Sequence, residues 1–177
     1  MTGSSEDIID QLLVMDAQDG DGKAVEKLVS LWQKRLWQHA FRLTADKEAA
    51  WDITQQSWLG IIKGLRKLHD PANFKAWIYR ITTNKSMDWL KNKSKDQHIN
   101  LDSVKADCCQ NKDDLRVKEL VRRLKNDSRA VLSLYYFEQL SISEISIALN
   151  IPQGTVKSRL FKARGELKQL WEKYFDN

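Results

Sequence analysis

Gln153, Thr155, Ser158 and Arg159 follow Pro152 at the start of a helical run. Their side chains carry the donors and acceptors that read base edges in a major groove. Lys157, Lys162 and Arg164 surround them with cations suited to phosphates, which position such a helix without reading sequence. A second group lies upstream, where Arg80 and Asn84 share a run with Lys75, Lys85, Lys91 and Lys93 and with several aromatics. Cations that follow a backbone, beside rings or pockets that hold unstacked bases, suit single-stranded nucleic acid. Such stacking contributes roughly 1–3 kcal/mol per base. The loop from His69 to Asn73 has two readings, a pocket for a flipped base or an ordinary turn. Trp77 stands three residues after Phe74 and four before Ile81, so it fits a core position better than a base platform.

Bond-breaking chemistry has less footing. Asp46, Glu48 and Asp52 are close in sequence, but spacings of two and four do not bring all three to one helical face. His39, His69 and His98 are scattered. Cys108 and Cys109 are adjacent, too close for ordinary disulfide geometry, and no CxxC accompanies them. They read as two free thiols in a loop. The sequence therefore points to a binding protein with no metal and no cofactor, and a nucleic-acid enzyme is a minor alternative.

The elements that must position these groups are helices. Seven glycines and two prolines in 177 residues are few, and the apolar spacing is helical over long stretches. In the C-terminal part, SRAVLSLYYFEQL puts Val131, Leu134, Tyr135 and Glu138 at helical spacing. Leu132 and Tyr136 widen the face, and Asp127 or Ser128 serves as cap. Ser141 with Glu144 forms a capping box for a short helix striped by Ile142, Ile145, Ala148 and Leu149. Asn150 suits a left-handed stop, and Pro152 suits the opening of the next helix, striped by Val156, Leu160, Ala163 and Leu167. Short helix, three-residue turn and longer cationic helix make a helix-turn-helix.

The N-terminal part holds six of the seven tryptophans. One helix places Val25, Leu28, Val29, Trp32, Leu36 and Ala40 on a face. A second places Trp51, Ile53 or Thr54, Trp58, Ile61, Ile62 and Leu65 there, with Gly64 loosening its end. Pro71 forces Asp70 out of helical geometry, and Asn73 can cap a third helix built on Phe74, Trp77, Ile78 and Ile81.

Charge divides the chain in the same way. Residues 31–95 carry net +8 and residues 116–177 net +5. Residues 96–115 carry net −3 and residues 1–30 net −5. Two basic modules on an acidic, aperiodic tether predict two separate contacts with one polyanion. The reading is an all-α chain of two small helical domains, residues 1–95 and 116–177. A flexible linker over 96–115 joins them, and the second domain is the helix-turn-helix. No apolar run approaches the roughly 20 residues of a membrane span. The acidic lead has neither the basic flank nor the apolar stretch of a signal peptide, so a cytoplasmic location without membrane insertion is expected. Whether MTGSSEDIIDQLL folds is open.

Two stretches, FKAWIYRITTNKSMDWLKNK and YYFEQLSISEISIALNIPQGTVKSRLFKARGEL, together resemble the sigma factors of bacterial RNA polymerase, most of all the small extracytoplasmic-function group. KEAAWDITQQSWLGIIKGL resembles the family's polymerase-binding segment, although Trp51-Asp52 and Gln55-Gln56 stand where several acids and a Gln-Glu pair are usual. The resemblance implies a transcription initiation factor whose partners are core RNA polymerase, promoter DNA and an anti-sigma protein. It assigns Asp52, Gln55 and Gln56 to polymerase binding. His69, Asn73, Arg80, Asn84 and Lys85 fall to the opened proximal element, and Gln153, Thr155, Lys157, Ser158, Arg159 and Lys162 to the distal element read as duplex. The rival reading is a free-standing dimeric DNA-binding regulator, which leaves the tryptophan-rich module without a task.

Overall fold

The computed structural model describes residues 5–96 and 112–175, all of their regular elements helical. In chain order they are α1 (Ser5–Gln18), α2 (Gly22–Thr44), α3 (Lys47–Gly64), α4 (Phe74–Asp96), α5 (Lys112–Arg123), α6 (Asn126–Leu132), α7 (Ile142–Leu149) and α8 (Gln153–Phe175). Short 3₁₀ turns, Leu65–Lys67 and Pro71–Asn73, join α3 to α4. A π turn, Ser133–Phe137, follows α6. Most of the tether, with Cys108 and Cys109, lies outside the described residues. No described helix is long and apolar enough to cross a membrane.

The N-terminal half packs α1, α3 and α4 on α2. Asp21 opens α2 by accepting from the Lys23 amide at 2.8 Å, and Asp46 opens α3 by accepting from the Ala49 amide at 3.1 Å. Trp32, 2% exposed, is the hub, with Phe74 and Tyr79 edge-on at 6.2 and 6.0 Å. Leu28, Leu36, Ile61 and Ile78 fill the space around it. The lead folds, as α1. Its Asp10 is buried and accepts from the Trp32 indole N–H at 3.0 Å. Burial raises the Asp10 pKa, an effect the Trp32 hydrogen bond opposes. Gln18 donates its side-chain amide to the Leu65 and Leu68 carbonyls at 2.9 and 2.8 Å, tying α1 to the end of α3.

Four local expectations are corrected. Trp51 and Ile62 are exposed rather than buried. The inner face of α3 is made by Ala49, Ala50, Ile53, Thr54, Ser57, Trp58 and Ile61; its small residues turn Trp51 and Ile62 outward. Asn73 does not cap α4. Asp70 takes the capping role one turn earlier, accepting from the Ala72 amide at 2.9 Å and holding the Asn73 side-chain amide at 3.1 Å. Neither Asp127 nor Ser128 caps α6, which starts a residue earlier behind Lys125, with no side-chain cap bond. Tyr136 is exposed, because the π turn breaks the 3.6-residue period that placed it inside.

The C-terminal half wraps α5, α6 and α7 around α8, with Leu124, Val131, Leu134, Ile145, Ala148, Val156, Leu160 and Ala163 buried. It also packs on the N-terminal half, chiefly α7 on α4, so the core runs through both.

Candidate nucleic-acid and polymerase interfaces

The helix-turn-helix is built as its residues dictate. Ser141 accepts from the Glu144 amide at 3.2 Å, and the Glu144 carboxylate accepts from the Ser141 amide at 2.7 Å. Asn150 ends α7 at φ 53°, and the Ser146 hydroxyl donates to the Ile151 carbonyl at 2.6 Å, fixing the three-residue turn. Val156, Leu160 and Ala163 hold α8 against the half's core. Gln153, Lys157, Ser158 and Lys162 are exposed as a result, while Thr155 and Arg159 are half-buried. Arg159 forms an ion pair with Asp127 at 3.2 Å, which orients its guanidinium across the start of α6. Arg164 is held differently from its neighbours: it donates to the Tyr136 hydroxyl at 2.8 Å and lies over the Tyr135 and Tyr136 rings. The sequence reasoning passed over Phe161, 81% exposed on the outward side of α8. Its signal was an aromatic between Ser158 and Lys162, off the buried stripe.

In the N-terminal half, Asn73 closes the 3₁₀ turn before α4, and Trp77, Arg80 and Asn84 follow along one side of α4 at spacings of three and four. Trp77 is half-buried and packs on the core. His69 is exposed at the entry to this line, and Lys85 flanks it from about a third of a turn away. On α3, Asp52, Gln55 and Gln56 are exposed together. They share that surface with Trp51, Leu59 and Ile62, which are 45%, 60% and 47% exposed. Exposed apolar side chains with a polar border on one helix are a feature of interaction surfaces. The stripe Trp51, Gln55, Leu59, Ile62 is their trace in the sequence.

The junction between halves centres on Glu138, which sequence reasoning placed only on an apolar face. Its carboxylate accepts from the Tyr79 hydroxyl and pairs with Arg42. His39, fully buried, shares a hydrogen bond between Nε2 and the Thr83 hydroxyl at 2.8 Å. Burial, then the neighbouring Arg42 charge, hold its pKa well below the usual imidazole value, so the ring is neutral. Burial lowers Arg42 to about 10 and raises Tyr79. Arg129 donates to the Leu43 carbonyl of α2 and, at 3.0 Å, to the Leu124 carbonyl. No group of three His, Cys, Asp or Glu among the described residues could hold a metal ion.

A tryptophan-cored helical bundle packed on a helix-turn-helix unit defines an all-helical protein of two domains. The family model Sigma-70 region 2 matches residues 28–96, and Sigma-70, region 4 matches residues 114–167. The chain is 25% identical over 174 residues to the ECF RNA polymerase sigma factor SigW of Bacillus subtilis, covering 88% of this chain and 93% of that one. It is 27% identical over 178 residues to the ECF RNA polymerase sigma-E factor of Escherichia coli, covering 90% and 93%. Two solved structures share the fold. CnrH in complex with the cytosolic domain of CnrY has a TM-score of 0.72 at 22% identity, covering 94% of this chain and 99% of that one. The sigma factor RpoE in complex with the anti-sigma factor NepR from Bartonella quintana has 0.73 at 21%, covering 83% and 96%. The chain belongs to the sigma-70 family, as a sigma factor of the extracytoplasmic-function type. It is a transcription initiation factor that binds RNA polymerase and promoters, and not an enzyme.

Proposed function

We propose that the two halves divide promoter recognition. The N-terminal half docks on core polymerase through Asp52, Gln55 and Gln56 and the apolar residues beside them. It then takes non-template bases of the opened proximal element with His69, Asn73, Arg80, Asn84 and Lys85. The C-terminal half reads the distal element as duplex with Gln153, Thr155, Ser158 and Arg159, while Lys157 and Lys162 hold phosphates. The observation that carries this reading is the pairing in one chain of an outward-facing helix-turn-helix with a docking helix whose apolar residues lie open. Action on the transcribing enzyme places the factor in the cytoplasm. An anti-sigma protein that covers the polymerase-binding faces is the proposed regulator, a reading supported by the similar sigma factor RpoE from Bartonella quintana, solved in complex with the anti-sigma factor NepR.

The test is transcription in vitro with core polymerase on a library of genomic fragments, with start sites read by sequencing. Arg159→Ala shifts or weakens the distal-element preference. Asn84→Ala impairs strand opening, seen as lost permanganate reactivity, while polymerase binding is retained. Unchanged start-site selection in both variants refutes the assignments. Tight sequence-specific duplex binding without polymerase favours the regulator reading instead.

A further inference from the structure

Helix α1 buries Val14 and Ala17 on its inner side, yet its outer side is apolar as well. Ile8, Ile9, Leu12 and Met15 are each more than half exposed. With about 100° between successive residues, Ile8, Leu12 and Met15 fall within about 60° of one another, bordered by Ile9 and Asp16. A fifth side chain of this kind, Leu31 of α2, is also more than half exposed. Leu31 directly precedes Trp32, which bonds to Asp10, and stands four residues before Arg35, which pairs with Glu6. It therefore lies on the shoulder of α2 beside α1. Large apolar side chains that face water together on adjacent helices mark a surface that a partner covers.

Charge decides which partner. From Ser5 to Asp21 the chain has six acids and no lysine or arginine. Asp16 and Asp19, at one end of the stripe, make no ion pair among the described residues. An anionic membrane surface would repel this segment. The complementary cations stand on α2, where Lys27 and Lys34 flank Leu31 at spacings of four and three, exposed and likewise without an ion pair among the described residues. An apolar centre with acids on one helix and lysines on the next is self-complementary. The antiparallel run of α1 and α2, set by the Asp10–Trp32 and Glu6–Arg35 contacts, fixes the match. A two-fold axis across the pair lays α1 of one copy parallel to α2 of the other. With Leu12 against the partner subunit's Leu31, Asp16 comes level with the partner subunit's Lys34, and Ile8 with the aliphatic stem of the partner's Lys27.

We propose that α1 and the adjoining shoulder of α2 form the interface of a symmetric dimer of this chain, with Leu12 and Leu31 at its centre and an Asp16–Lys34 pair on either side of the axis. The pairing uses no residue assigned above to polymerase or DNA. Five partly exposed side chains per copy make a small interface, below about 1,200 Å² in total, so the dimer is reversible, with a Kd on the order of 10–100 µM.

Sedimentation equilibrium of the full chain at low salt tests this, and a monomer–dimer equilibrium is expected. Leu12→Glu, a change on the exposed side of α1, is expected to weaken the dimer at least about tenfold, with circular dichroism unchanged. Because the two-fold repeats each ion pair, Asp16→Lys or Lys34→Glu alone should weaken it about tenfold. The double variant Asp16→Lys/Lys34→Glu, which restores opposite charges in exchanged places, should return to within about threefold of the parent. A chain that stays monomeric up to about 500 µM overturns the proposal and leaves the face to an unlike protein. So does a dimer that Leu12→Glu leaves intact, or a double reversal no tighter than the single ones.

Discussion

Replacing Glu138 by Gln isolates the charge at the junction between the halves. The two side chains are nearly the same size, and the Gln carbonyl can still accept from the Tyr79 hydroxyl. What is lost is the counter-charge for Arg42. The Glu138 side chain is 5% exposed and that of Arg42 17%, so this pair is largely out of water. Removing one member of a buried pair costs about 3–5 kcal/mol, mostly from the charge left behind. Arg42 belongs to α2 and Glu138 to the opposite half, so the stranded cation can recover its hydration if the halves part without unfolding. The expected consequence is separation, with the docked-to-separated ratio falling by roughly 100-fold or more for a loss of about 3 kcal/mol. Small-angle scattering should show a larger radius of gyration, and amide exchange should quicken in residues 39–43 and 78–83. Adding Arg42→Met should restore most of the docked population, since both charges are then gone. A single variant with unchanged scattering and exchange refutes the reasoning.

Two further outcomes follow from individual contacts. His39 has a lower pKa folded than unfolded, so its contribution to stability is present above about pH 6.5 and is lost as the pH falls below it. The loss is at most about 1.4 kcal/mol per pH unit, and urea denaturation at several pH values should show it flattened in His39→Gln. At Gly64, an added Cβ would lie 2.9 Å from Trp77 Cζ2. Gly64→Ala is expected to lose about 1–2 kcal/mol from displacing the ring, despite a helix-propensity gain of up to about 1 kcal/mol, and a more stable variant in denaturant would contradict the packing.

The features legible in the sequence are those with local causes. The Ser141–Glu144 box, the Asn150 stop and the stripe Val156, Leu160, Ala163 are set by neighbours within a few residues, and the structure has them all. Trp51 and Ile62 were misplaced because α3 carries apolar residues on two sides. Only the partners of the helix decide which side is buried, and here the inner face mixes small residues with Ile53, Trp58 and Ile61. Tyr136 was misplaced because spacing arguments assume a constant period, which the π turn suspends. The Glu138 cluster was invisible for a third reason. Its members Arg42, Tyr79 and Glu138 are separated by tens of residues, and none stands out from ordinary surface or core residues until the chain is folded. Among site residues, Asp52, Gln55 and Gln56 came from the family resemblance alone, and the exposed apolar residues beside them were not foreseen, since the same spacing had placed Trp51 and Ile62 inside.

The last turn of α2 offers the Leu43 carbonyl, and the group that answers it is Arg129, 86 positions further along the chain. Helix ends ordinarily find such a donor nearby or in solvent. Here each half lends the other a missing piece of its own scaffold. A fragment cut anywhere in the tether would be an amputated version of its half rather than a faithful copy, with a bare acceptor on one piece and a stranded guanidinium on the other.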